Sequence, residues 1–211
     1  MSRTILLTGF GLFPGAPFNP TETVVRKLAR ERRPALAGVT IVPHIFRTSY
    51  AAVDRELPLL LRKYKPDAVL MFGLAQRAPY LRIETLARNA VARMADADRK
   101  APMARTIAKG KADTLTMRTL ARPLLAEARA ARVPAALSRD AGRYLCNYLC
   151  WRATEAALKT GGPHVAVFIH VPLVRRKPVP SGRTKNRRVT MPDLMRAGRG
   201  FLRSVATAAG R

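Results

Sequence analysis

The stretch Val165-Ala166-Val167-Phe168-Ile169-His170-Val171-Pro172 decides the fold class. It is apolar without alternation as far as Ile169, which is the pattern of a strand covered on both faces. His170 closes it and Pro172 stops it. Similar short runs lie upstream: Thr4–Thr8, ended by Gly9-Phe10-Gly11-Leu12-Phe13-Pro14-Gly15; Val39–Val42; Ala68–Phe72, ended by Gly73; and Ala135–Ser138. Helical patterns fall between them. Asn19-Pro20-Thr21-Glu22 opens one that runs to about Arg32, with Asn19 as cap, Pro20 in first position and Glu22 as the capping-box acid. Val53, Leu57, Leu60 and Leu61 place another over 49–65, and further helices are expected over 116–131, 144–158 and 191–208. Residues 80–88 read as a strand or extended segment, and 94–114 as a long polar loop, functional or mobile. Strands alternating with helices predict an α/β fold with a mostly parallel sheet. No repeat or linker divides it, so residues 1–211 are expected to form a single domain, with a basic loop at 173–190 before the C-terminal helix.

Length agrees: 211 residues at ~150 per domain make one domain the default, and 48% apolar residues supply a core. No apolar run approaches the ~18 residues of a membrane span. The run Thr4–Thr8 is too short, and broken too soon by Gly9, for a signal peptide, so a cytoplasmic protein is expected. The formal charge of +26 would attract polyanions nonspecifically, nucleic acid or anionic membrane. Yet 30 of the 39 bases are Arg in an Ala-rich chain, which GC-rich codon usage produces without any partner. The bases are scattered, except for seven, with no acid, in residues 173–190.

Cys146 and Cys150 are the only cysteines, one helical turn apart, which excludes a disulfide framework and, with three His, argues against structural metal. Chemistry in open α/β sheets gathers beyond the carboxyl ends of strands, where three segments each carry a reactive residue. After strand 135–138 and the Ala141-Gly142 turn, Cys146 falls in the first turn of a helix, where free amides and nearby Arg charge favour a thiolate; the alternative is a buried helix cysteine. His170 is either a satisfied structural group or the base such a thiol needs. Glu84, in Tyr80-Leu81-Arg82-Ile83-Glu84-Thr85-Leu86-Ala87-Arg88-Asn89, either orients that imidazole or pairs with one of the many arginines.

At these segments the sequence resembles the pyroglutamyl peptidase I (pyrrolidone carboxyl peptidase) family of cysteine peptidases. The matching residues are Thr8-Gly9-Phe10 with Phe13 and Asn19-Pro20; Gly73-Leu74-Ala75; Ile83-Glu84 with Ala87 and Asn89; Ala141-Gly142 with Tyr144-Leu145-Cys146-Asn147; and Phe168-Ile169-His170-Val171-Pro172. The resemblance spans residues 4–172 and implies a three-layer α/β/α sandwich of the phosphorylase/hydrolase-like type. It implies a catalytic triad of Glu84, Cys146 and His170 that releases an N-terminal pyroglutamyl residue from peptides through a thioester, without metal or cofactor. Assembly as a dimer or tetramer is implied as well. The lactam pocket falls on Phe10, Phe13, Tyr144 and Leu145.

Three departures stand out. The family's Pro-Phe-Gly-Gly is Leu12-Phe13-Pro14-Gly15 here, Thr85 replaces the Arg after the triad Glu, and Val91-Ala92-Arg93-Met94-Ala95-Asp96 replaces Asp-Ala-Arg-Ile-Pro-Asp. With the chain one residue shorter there, Arg93 matches the family Arg near the scissile carbonyl, and Met94 a pocket wall. The expected activity is therefore pyroglutamyl exopeptidase. The competing readings are a family-related protein whose activity is lost or altered, and a basic nucleic-acid-binding protein. The last lacks a reading motif or an aromatic stacking stripe, with 6% aromatics.

Overall fold

The apolar runs become strands of a six-stranded sheet, with Arg3–Phe10, Ala68–Leu74 and Val165–Val171 inside it and Val39–Phe46 and Ala135–Ser138 at its edges. The computed structural model describes residues 3–12, 18–118, 120–174 and 188–210. In chain order the elements are β1 (Arg3–Phe10), α1 (Pro20–Arg30), β2 (Val39–Phe46), α2 (Tyr50–Tyr64), β3 (Ala68–Leu74), β4 (Leu81–Glu84), β5 (Leu86–Arg88), β6 (Thr114–Thr116), α3 (Ala121–Ala130), β7 (Ala135–Ser138), α4 (Leu145–Ala157), β8 (Val165–Val171) and α5 (Met191–Ala208). Among the described residues the main sheet has the order β2-β1-β3-β8-β4-β7, and β5 pairs with β6 in a separate ribbon. All neighbours in the main sheet are parallel except β4 and β8.

Period-two alternation sorts the sheet into two faces. Ile5, Leu7, Leu70, Phe72, Val167 and Ile169 pack with α1, α3 and α5. Leu6, Phe10, Val69, Met71, Ala166 and Phe168 pack with α2 and α4. Both faces being apolar, β3 and β8 read as continuous hydrophobic runs, and the three expected layers follow. No helix among the described residues is long and apolar enough to cross a membrane.

Several boundaries differ from the sequence reading, each for a local reason. Gly9 and Gly73 do not end their strands. Gly9 sits inside β1, where an added Cβ would lie 3.1 Å from Thr21 and Val25 of α1, so it permits close helix packing. β2 runs past Pro43 to Phe46, because it is an edge strand and tolerates a missing donor. The extended segment 80–88 is two strands in two sheets. Thr85 is the switch: its amide and Oγ1 donate to the Ser138 carbonyl at 2.8 and 2.9 Å, while its carbonyl accepts from Met117 N at 3.0 Å. Residues 114–116 form β6 rather than loop and helix start. α3 begins only at Ala121, which keeps Pro123 in the first turn, where no amide is required. Asn19 caps α1 as expected, accepting from Thr21 N at 3.1 Å, but Glu22 pairs with Arg26 at 3.0 Å instead of closing a capping box. Among the described residues a capping box forms instead at α5, between Thr190 and Asp193.

Candidate active site

Antiparallel pairing of β4 with β8 sets Arg82 opposite His170, Ile83 opposite Ile169 and Glu84 opposite Phe168. Ile83 and Ile169 belong to the α1/α3/α5 face, so Arg82, Glu84, Phe168 and His170 project to the other. α4 begins on that side with Leu145, and Cys146 is its second residue. His170 lies one residue inside the end of β8, not at its last position as the sequence suggested.

Glu84, Cys146 and His170 meet there. His170 Nδ1 lies 2.7 Å from Glu84 Oε1. Cys146 reaches the same corner, its sulfur lying against Gly73, the residue that pairs with His170, and it acts on the charge of the imidazole. Glu84 is fully buried and His170 is 5% exposed, whereas Cys146 is half-buried, so the sulfur is the member that solvent and ligand can reach. Glu84 meets both an imidazole and an arginine, because Arg82 Nε also stands 3.3 Å from Oε1. Arg82 further donates to Ser138 Oγ at 2.6 Å and to the Asp140 carbonyl. It thereby ties the carboxylate to the turn that leads into α4.

Burial alone would lower the His170 pKa. The negative charge of Cys146 and its hydrogen bond, followed by Glu84, outweigh burial and push it up to about 9. Cys150 is fully buried. Burial, then the charges of Cys146 and Glu84, push its thiol well above the ordinary range, so it remains a neutral packing group.

Close approach of sulfur, imidazole and sheet depends on Gly73, which pairs with His170. A Cβ there would lie 2.9 Å from Cys146 Sγ and 2.5 Å from the Phe168 ring. Sequence reading took Gly73 as a strand terminator and as part of the Gly73-Leu74-Ala75 family match, without this packing role. The chain enters α4 through Gly142, at φ +83°, a left-handed position that disfavours side chains. Tyr144, the cap residue, makes no side-chain capping bond.

The expected pocket residues are placed as follows. Phe10 and Leu145 are buried on the α2/α4 face, with Phe10 against Phe46 at a ring separation of 6.1 Å. Tyr144 is half-buried, donates to the Ala95 carbonyl at 3.0 Å and meets Tyr50 edge-on. Burial, then the Asp96 and Cys146 charges, raise its phenol pKa. Arg93 and Met94 are exposed, Arg93 donating to the Met103 carbonyl at 3.4 Å. Phe13 and residues 175–187 of the basic loop lie outside the described residues. Among the described residues no cluster of His, Cys, Asp or Glu is arranged to hold a metal ion.

Side chains without an assigned role in the sequence reading hold the walls. Asn147 accepts from Arg88 N at 2.9 Å and donates to the Arg88 and Ala90 carbonyls, stapling α4 to the chain after β5. Asn89 accepts from Ile107 N and Ala108 N at 2.9 and 2.8 Å and donates to the Ala108 carbonyl at 2.8 Å, folding the long loop back on itself. Buried Asp96 accepts from Tyr50 N, Asp98 N and Lys100 N. Their sequence signal was thin: amides and an acid in a segment without periodicity.

Comparison with known proteins agrees with this geometry. The pyroglutamyl peptidase family model matches residues 3–193. The pyrrolidone-carboxylate peptidase of Thermococcus onnurineus is 31% identical over 84% of this chain and 89% of its own length. That of Cupriavidus pinatubonensis is 34% identical over 81% and 78%. The solved pyrrolidone carboxyl peptidase of Thermococcus litoralis superposes with a TM-score of 0.85 at 25% identity, covering 97% of this chain and 93% of that one. A fold, a reactive corner and a sequence match over most of the chain converge, and the chain belongs to the pyroglutamyl peptidase family of hydrolases.

Proposed function

We propose that this chain is a cysteine exopeptidase that releases an N-terminal pyroglutamyl residue from peptides, with Cys146 as nucleophile, His170 as acid and base, and Glu84 holding the imidazole. The observation that carries the reading is the buried Glu84–His170 bond of 2.7 Å, with the half-buried Cys146 brought to the same corner at Gly73, which pairs with His170. The Cys146 thiolate attacks the pyroglutamyl carbonyl carbon, and the carbonyl π electrons move to oxygen. The free amides at the start of α4 stabilise that oxyanion. As the carbonyl re-forms, the C–N bond breaks and His170 gives its proton to the departing amine, leaving a thioester on Cys146. Water, deprotonated by the now neutral His170, then attacks the thioester, and pyroglutamate leaves as the thiolate is restored. Glu84 accepts the Nδ1 hydrogen throughout, which fixes the ring and favours its charged form. The lactam carries no charge, so an apolar wall of Phe10, Leu145 and Tyr144 is a suitable pocket, with no carboxylate needed to pair with an amine.

The test is hydrolysis of a pyroglutamyl chromogenic amide beside its prolyl counterpart. Only the first should be cleaved. Cys146→Ser should abolish cleavage, and Cys150→Ser should keep it within a few-fold, with iodoacetamide alkylating Cys146. Prolyl cleavage, or inactivity of the Cys150 variant alone, would overturn the reading.

A further inference from the structure

A second concave site lies beside α4. A pocket of about 280 Å³ is lined by Ala90, Val91, Ala92, Arg93, Arg105 and Arg143: three arginines and no acid. The backbone holds it together. Val91 N donates to the Arg105 carbonyl at 2.9 Å and Ala92 N to the Arg143 carbonyl at 2.6 Å, so chain segments distant in sequence present their arginines to one hollow. None of the three is ion-paired among the described residues. Acids nearby in sequence are engaged elsewhere: Asp96 by three backbone amides, Asp98 by Arg47 and Asp140 by Arg88. A hollow lined by three exposed arginines and no acid suits a carboxylate ligand.

Position says where on a substrate that carboxylate must be. Arg143 precedes Cys146 by three residues, so their backbones are at most ~11 Å apart. A pyroglutamyl residue is the first of its peptide and its lactam is neutral, so any negative charge within reach belongs to the part downstream of the scissile bond. The geometry points to the Arg93–Arg105–Arg143 pocket as an anion subsite for a carboxylate carried one or two residues beyond that bond. This inference rests on the peptidase reading above. The carboxylate has two sources, an acidic side chain or the C-terminus of a very short peptide.

Substrate pairs separate these sources. Pyroglutamyl-glutamate amide against pyroglutamyl-glutamine amide isolates the side chain; pyroglutamyl-alanine against its amide isolates the terminus. We expect at least one acidic member to exceed its neutral partner in kcat/KM by about 10-fold at low salt, shrinking to about 2-fold in concentrated sodium chloride. Arg105→Gln and Arg143→Gln should each cut that ratio about threefold or more, with neutral-substrate kcat/KM within about twofold. Equal rates for both pairs would overturn the subsite. So would a preference that both variants retain, because it would then come from the +26 field of the whole chain. Calorimetric binding of the same peptides to the Cys146→Ser protein keeps the two readings apart. Acid-selective binding without hydrolysis by the wild-type protein would sink the peptidase reading and leave the pocket. Hydrolysis without acid selectivity would do the reverse.

Discussion

The two parts of the candidate site are built on different principles. Glu84 and His170 stand on adjacent strands and Cys146 on the first turn of a helix packed against them. Moving Glu84 relative to His170 would require β4 to slip by two residues against β8, breaking the main-sheet ladder on both sides. The walls contributed by residues 89–113 have no such ladder. They are held by Asn89, Asp96 and Asn147, whose amide and carboxylate groups take the place of secondary structure. Reacting groups are therefore over-determined, whereas the wall that meets the substrate depends on a few hydrogen bonds, each worth ~1 kcal/mol net but about 1–3 kcal/mol if left half-made. Damage to the first part should appear in kcat, and damage to the second in KM.

Gly73→Ala is the harshest way to break the first part. The added Cβ would stand 2.9 Å from Cys146 Sγ and 2.5 Å from the Phe168 ring. The strand cannot retreat, since β1 and β8 flank it, so sulfur and ring must move. A displacement on the order of 1 Å at the nucleophile is enough to cost ~100-fold in rate, and overpacking should destabilise by about 1–3 kcal/mol. Steady-state kinetics with thermal unfolding measures both. Wild-type kcat in a folded Gly73→Ala protein would show that the corner is softer than its geometry indicates.

Asn89→Ala attacks the second part. It removes the acceptor of Ile107 N and Ala108 N and the donor to Ala108 O. Residues 90–113 should loosen locally while the sheet stays intact. The expected outcome is KM raised about 5-fold, kcat within a few-fold, and limited proteolysis that begins inside 90–113. A kcat loss as large as that of Gly73→Ala, with KM unchanged, would erase the distinction between the two parts.

The same contrast governs what was legible in the sequence. Apolar strands buried on both faces announce themselves by composition, and so β3, β8 and the three layers were foreseen. Cys146 and His170 stood out in the sequence because each lies near an element end that periodicity locates, and Glu84 because it is an acid between apolar neighbours in the segment 80–88. That Arg82 joins Glu84 to the turn before α4 was not, because antiparallel pairing of β4 with β8 cannot be read from either strand alone. β6 was missed for the same reason: Thr114–Thr116 is three residues whose only partner is β5. Gly73 was read as punctuation because its role is set by Cys146 and Phe168, far away in sequence. The Arg93–Arg105–Arg143 hollow was hidden among thirty arginines, distinguished only by backbone bonds that gather three of them.

The mildest test reads the charge on His170 directly. Its pKa stands at about 9 in the folded chain against an ordinary 6.5, with Cys146 contributing ahead of Glu84. A raised folded-state pKa means that the charged ring favours the native state. This contribution is full below pH 6.5 and is lost as pH rises through about 9. Activity should follow on the alkaline side, because the neutral ring cannot protonate the leaving amine; an alkaline limb in kcat near that value is expected. An NMR titration of the His170 ring separates the causes. In Cys146→Ser the ring should titrate more than one pH unit lower, since burial is then opposed only by Glu84. In Glu84→Gln the fall should be smaller. Asn89→Ala should leave the titration in place, as the long loop contributes no charge or hydrogen bond to the imidazole. A shift there as large as in Cys146→Ser would mean that the loop sets the electrostatics of the reacting groups, and that the two parts are one.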